Sequence, residues 1–299
     1  MGTNTRSAWM VAGAGTLWGL ISLFVHALQA DGLTSLQIVF FRNLLAAVIL
    51  GSIIAAKERK LPWFRLRDIW MFLGTGMISI ALFNYCYFAA LERSSVAVAS
   101  LLLYTSPIFI MVLSAVLFHE RLTGQKLLSL VLTVAGCACI TGVFSESQAV
   151  AWTTVLLGLG SGLFYGLYSI FGKYALREYN AMTVSFYTFV FAAAATAPFC
   201  GADSVRFVAA HPQDLLVGIG LAVVSTVAPF LLYTAGLNGI QASKAAVLAI
   251  VEPLVASLLG VIAFGDSFTV WTLLGMVLIF SAIAVLQLPW HRKVEQIHG

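Results

Sequence analysis

Of the twelve acidic residues in this 299-residue chain, one, Glu252, falls well inside a long apolar run. A carboxylate at the centre of hydrocarbon costs about 2.5–3.5 kcal/mol on the insertion scale, so such a group faces a cavity or a partner. Three roles are open to it. It can pair with the ammonium group of a solute, hold a coupling proton, or accept hydrogen bonds that brace a helix break at Pro253. A polar and aromatic set lies at the same depth in other runs: Trp18, Asn84, Tyr87, Tyr104, Tyr165, Tyr168, Ser225, Phe230 and Tyr233. Tyrosine suits a wall that is apolar at one end and wet at the other. With Glu252, these residues are the candidate lining of a cavity for apolar, aromatic or neutral solutes with one or two polar handles. Each taken singly also reads as a packing aromatic.

Reactive chemistry finds no comparable support. His119-Glu120 is followed by Arg121-Leu122-Thr123, which breaks the His-Glu-x-x-His zinc pattern. Asp266 has no intramembrane aspartate partner. Cys86, Cys137, Cys139 and Cys200 sit within or at the edge of apolar runs and read as small buried hydrophobes. Lys173 and Lys244 are too few and too peripheral for a phosphate pocket. No ring of charges or filter-like carbonyl segment suggests a channel. The expectation is a non-enzyme with no metal and no cofactor.

These residues are positioned by a chain that is 61% hydrophobic and 9% charged, with a mean hydropathy of +0.97. Globular domains run at about 45–50% apolar and about 25% charged. The apolar residues form ten runs, at about 8–28, 36–55, 69–90, 97–117, 124–143, 152–175, 181–200, 215–236, 243–263 and 270–288. Runs of about 20 residues span about 30 Å of hydrocarbon as helices, whereas a β-barrel would show alternating ten-residue segments. The fold class expected is all-α and polytopic. No cleavage site clearly follows the first run, so it does not read as a signal peptide.

The net charge of +4 is a topology signal, not a nucleic-acid footprint. Arg6, Lys57, Arg59, Lys60, Arg65, Arg67, Arg121, Lys126, Lys173, Arg177, Lys244, Arg292 and Lys293 fall on one side; Arg93 and Arg206 fall on the other. Arg42 lies within a run. This bias places both termini in the cytoplasm. The longest connections, Lys57–Asp68 and Gly201–Asp214, occupy equivalent places in the two halves.

The halves are themselves copies. Gly13-Ala-Gly15-Thr-Leu-Trp18-Gly19-Leu20-Ile-Ser22-Leu-Phe24 returns as Gly160-Ser-Gly162-Leu-Phe-Tyr165-Gly166-Leu167-Tyr-Ser169-Ile-Phe171. Residues 88–128 align with 234–274, pairing Pro107 with Pro253, Glu120 with Asp266 and Thr123 with Thr269. Two five-helix units, 1–146 and 147–299, each with an odd number of spans, cross the membrane in opposite senses. Such inverted repeats place a solute site at the midplane. Gly15-x-x-x-Gly19 and Gly162-x-x-x-Gly166 each offer a face for close helix packing. Pro107, Pro229 and Pro253 lie inside runs and are expected to kink them, as gates or hinges.

Tandem five-helix units with glycine-aromatic first helices resemble the drug/metabolite transporter superfamily. So do Ser106-Pro107 with Phe118-His-Glu120-Arg-Leu-Thr123, and Glu252-Pro253 with Phe264-Gly-Asp266-Ser-Phe-Thr269. The nearest form is the ten-helix exporter built of two EamA units, and the likeness covers nearly the whole chain. Asp266 departs from it, since Glu is usual there. Within that group the aromatic-rich runs are similar to those of the bacterial aromatic amino acid exporter. The resemblance implies outward movement of amino acids or similar small metabolites by alternating access, with helices three, four, eight and nine as gates. Efflux of drugs or other metabolites, or an uncoupled facilitator, is the alternative. The expected partners are a small-molecule substrate and the lipid bilayer, and proton coupling through Glu252 is a hypothesis read from that residue.

Overall fold

The structure, a computed structural model, describes residues 3–58, 63–145 and 150–288; Arg59, Lys60, Arg292 and Lys293 lie outside these. Ten of its helices are long and apolar enough to cross a membrane. They are α1 (Asn4–Ala30), α2 (Ser35–Lys57), α3 (Leu66–Leu91), α4 (Val96–Phe118), α5 (Gly124–Thr141), α6 (Trp152–Ala175), α7 (Ala181–Val208), α8 (Pro212–Gly239), α9 (Ala242–Phe264) and α10 (Val270–Gln287). Among the described residues every regular element is helical. The ends of α4, α5, α7 and α10 are set by hydroxyl or amide side chains. Ser95, Thr123, Asn180 and Thr269 each accept a backbone N–H from the first turn, supplying one of the partners that a helix start lacks.

The structure corrects the reading of 201–214 as a loop, because α7 stays helical to Ala210. Its added turns have partners: Ser204 donates to the Cys200 carbonyl at 2.7 Å, and Val208 packs with Leu28 and Leu33. Pro198 sits inside α7 without ending it.

The prolines act one turn earlier than a simple kink implies. A proline ring clashes with the carbonyl four residues before it and gives that carbonyl no N–H. Accordingly α4 stops at Leu103 and resumes at Ser106, while α9 stops at Ala249 and resumes at Val251. Pro229 follows a π-helical stretch, Val223–Val227. Pro107 and Pro253 thus lie within the first three residues of a new segment, where a missing N–H costs little; Pro229 instead follows Val227 and Ala228 in a helix that stays helical throughout. At Pro107 and Pro253 the interruption is a full break, and these two prolines open half-helices. α3 carries a matching π-helical stretch, Gly74–Ala81, with no proline.

Helix pairing repeats with the halves exchanged. α1 packs on α8 and α9, and α6 packs on α3 and α4; α2 pairs with α7, and α5 with α10. At the α5–α10 crossing neither helix has room for a side chain. A Cβ on Gly275 would lie 2.6 Å from the Gly136 carbonyl, and one on Gly136 would lie 3.0 Å from the Gly275 carbonyl. The glycines of α1 and α6 lie against the broken helices. A Cβ on Gly15 would meet the Ala249 carbonyl at 2.6 Å, and one on Gly162 the Leu102 carbonyl at 2.9 Å and the Leu103 carbonyl at 3.2 Å. Ala249 and Leu103 are the carbonyls that Pro253 and Pro107 deprive of donors. Bare glycine Cα–H groups are what approach them. Gly19 and Gly166 sit one turn on, against the Glu252 and Ser106 carbonyls.

Candidate functional site

Where the breaks in α4 and α9 meet α1, α3, α6 and α8, a narrow cavity remains. Its wall includes Trp18 from α1, Tyr104 from α4, Tyr165 and Tyr168 from α6, Phe230 and Tyr233 from α8, and Glu252 from α9. The rings pack edge-on or tilted against one another. Trp18 lies 5.2 Å from Phe230 and 5.3 Å from Tyr233 between centroids, and Tyr168 lies 5.1 Å from Phe230. Such geometries add about 0.5–1.5 kcal/mol per pair beyond area burial. Two phenol groups are tied down: Tyr168 to the Thr234 hydroxyl at 2.6 Å, and Tyr233 to the Ser169 hydroxyl at 2.7 Å. The Tyr165 hydroxyl donates to Glu252 Oε2 at 3.3 Å.

Of the wall residues, Glu252 alone carries an ionisable carboxylate, and no basic side chain stands among them. The free volume is about 30 Å³, comparable to the space one water occupies. A solute of even a few heavy atoms requires its walls to move.

Three candidates lie elsewhere. Asn84 is buried and donates to the Ile80 carbonyl at 2.7 Å, one turn back on α3. Tyr87 bonds Ser100 at 3.2 Å, joining α3 to α4. Ser225 is buried in the π-helical stretch of α8 with its hydroxyl unpartnered. Its repeat partner Ser79 does line the cavity. The four cysteines are buried and unbridged. Among the described residues no three His, Cys, Asp or Glu side chains converge as metal ligands.

A second, open cavity of about 590 Å³ lies at the end of the bundle holding residues Asn4 and Thr5, with Glu120, Lys173, Asn238 and Lys244 on its wall. Glu120 is the residue that sequence reasoning undervalued. Its carboxylate accepts the Ala242 N–H at 2.9 Å, the Ser243 N–H at 3.4 Å and the Ser243 hydroxyl, and it pairs with Lys126 Nζ at 3.5 Å. It therefore caps α9, whose own N-cap position, Gln241, contributes no side-chain bond. A carboxylate at a helix N-terminus meets both its free N–H groups and its dipole. Beside it, Lys173 Nζ caps the far end of α8 through the carbonyls of Leu237 at 2.7 Å and Ile240 at 2.6 Å. No local spacing signals this role, since Asp266 shares the acid-x-x-Thr spacing and is exposed.

Broken helices around a narrow aromatic cavity are a transporter's architecture, and comparison with known proteins agrees. The description of the EamA-like transporter family matches residues 5–142 and again 152–288. The chain belongs to the EamA-like transporter family. It is 30% identical over 273 residues to an uncharacterized transporter of Archaeoglobus fulgidus, covering 90% of this chain and 92% of the relative. It is 24% identical to the uncharacterized inner membrane transporter YicL of Salmonella typhimurium, covering 99% of both. The threonine/homoserine exporter RhtA of Salmonella typhimurium is 26% identical over 227 residues, 76% of this chain and 71% of that one. A solved crystal structure shares the fold with a TM-score of 0.75 at 19% identity, covering 94% of this chain and 98% of the other. This EamA protein is thus a multi-pass transporter of the bacterial inner membrane, acting on small molecules within the lipid bilayer.

Proposed function

We propose that the protein exports amino acids and similar small amines, those with aromatic or apolar side chains foremost, by alternating access. The observation that carries this reading is the narrow aromatic cavity with Glu252 as its one charged wall residue. Its aromatic faces suit an apolar body, and its carboxylate suits an ammonium group. The name of the RhtA relative supports an amino acid as cargo. The halves lie in opposite senses with both termini cytoplasmic, a reading supported by the basic residues and by the exchanged helix pairing. Rocking of the α4 and α9 half-helices about their breaks moves access from one side to the other. Glu252 holds the substrate ammonium on the way out and a proton on the way back, which couples export to proton entry.

Efflux from proteoliposomes loaded with labelled amino acids, with and without a proton gradient, tests this. Export of an aromatic or branched amino acid, accelerated by the gradient, is expected. In Glu252→Gln the gradient no longer accelerates export. Failure to move any amino acid would overturn the cargo, and normal gradient response in the variant would overturn the coupling.

A further inference from the structure

Two cavities lie on opposite sides of one short helical segment. The first segment of α9, Ala242–Ala249, turns Lys244 and Leu248 to the open cavity at the end of the bundle. Its Ala246 and Ala249 line the narrow central cavity. Positions 244 and 248 share a helix face, while 246 lies about 200° round from 244, on the other face. The segment is therefore the partition between the two spaces.

Each end of the partition has its own fastening. At Ile250 the helix breaks, because Pro253 leaves the Ala249 carbonyl without a donor. At the other end the α8–α9 corner is clamped from two directions by opposite charges. Glu120, beyond the end of α4, accepts the Ala242 N–H at 2.9 Å, the Ser243 N–H at 3.4 Å and the Ser243 hydroxyl. Lys173, from α6, donates to the Leu237 carbonyl at 2.7 Å and the Ile240 carbonyl at 2.6 Å. Negative charge at a helix start and positive charge at a helix end are the favoured pairings. Both side chains stand on the wall of the open cavity, so water can replace each bond as it breaks. Glu120 keeps Lys126 at 3.5 Å as the corner leaves. A clamp placed in this way is releasable. In the other half Asp266, the repeat mate of Glu120, is exposed, and α4 starts on its own Ser95. The clamp thus belongs to one end of the bundle.

Resting on the export reading above for its sidedness, we propose that Ala242–Ala249 is the inner gate, with Glu120 and Lys173 as its latch and the open cavity as its vestibule. Release swings the segment about Ile250 and joins the vestibule to the central cavity. The solute then passes Lys244 and Leu248 to reach the aromatic wall. Glu120 and Lys173 act as positioning residues, setting how often the central cavity is reached from inside.

The test reads access to the central cavity directly. Ser106 lines that cavity and is 3% exposed, and Ser106→Cys in the full-length protein gives it a thiol of similar size. Membrane vesicles of each sidedness are treated with a membrane-impermeant cationic methanethiosulfonate. The parent chain supplies the background from its four buried cysteines. Adding Glu120→Gln should speed labelling from the inner face by at least about fivefold, as the population shifts toward a released gate, and should not speed it from the outer face. Lys173→Met should act in the same direction. Ser243→Ala removes one bond and no charge; it should give a smaller one-sided gain and decides the matter where Glu120→Gln fails to fold. Inner-face rates within about twofold of the unlatched variants' parent overturn the gate. So does acceleration that appears at the outer face, which marks a loosened bundle instead. One-sided acceleration in a protein that moves no amino acid supports the gate and overturns only the cargo of the export reading.

Discussion

The corner between α4 and α5 and the corner between α9 and α10 share one backbone and do different things. Both helices end on a left-handed residue, His119 with φ 52° and Gly265 with φ 74°. In both, the next N–H turns back to the final turn, Glu120 to the Ser114 carbonyl at 3.2 Å and Asp266 to the Gly260 carbonyl at 3.1 Å. In both, a threonine caps the following helix, Thr123 accepting from Lys126 and Thr269 from Thr272. The carboxylates then part company. Glu120 is buried and fastens the start of α9, whereas Asp266 is exposed and α4 is capped by its own Ser95. Duplicated backbone geometry has been kept while the side-chain chemistry has diverged. The end of the bundle that carries Glu120 is fastened, with the first segment of α9 packed on the second segment of α4.

The largest test of this contrast is Glu120→Ala. It leaves the Lys126 ammonium buried alone and the first N–H groups of α9 open, which should cost about 3–5 kcal/mol. Thermal unfolding in detergent would show it as a lower Tm, and Lys126→Met in the same protein should recover part of the loss. Recovery of nothing would mean that the ion pair is not the source. Next in size are the left-handed residues. Gly265→Ala should destabilise by about 1 kcal/mol, because nothing lies within 4 Å of the added methyl and the cost is purely conformational. His119→Gly should recover part of that strain at the other corner, seen as a higher Tm. The smallest effect belongs to Asp266→Asn, which should stay within about 0.5 kcal/mol of the parent protein as an exposed substitution. A larger loss would show that Asp266 holds a helix in some other state, as Glu120 does in this one.

Much of the fold could be read from residue patterns. Ten apolar runs became ten helices, and the repeated prolines marked the broken ones. The physical reason is local: a proline acts on the carbonyl four residues away, so its effect is written beside it in the chain. The cavity was partly legible because Trp18, Tyr104, Tyr165, Phe230 and Glu252 sit near those breaks. What escaped was non-local or lacked a marker. The π-helical turns of α3 have no proline to announce them, and the bonds of Asn84 to the Ile80 carbonyl and of Tyr87 to Ser100 have no marker in the chain. The grip of Glu120 on Ala242 and Ser243 joins residues more than a hundred positions apart. Helix propensity near residue 200 is ambiguous, and only packing of Val208 against α1 and its loop decides it.

The glycine crossing of α5 and α10 bears on how the protein is made. Synthesis delivers helices in order, and α10 is the last of the ten spans to emerge. Until then the Gly136 face of α5 has lipid where its partner backbone belongs, and Gln125 lacks the Val285 and Leu288 carbonyls it donates to in the finished bundle. Assembly therefore closes from the far end of the chain. Defects in the final span should reach back to the fifth, so quality control in the membrane would first meet a nearly complete protein with one open seam.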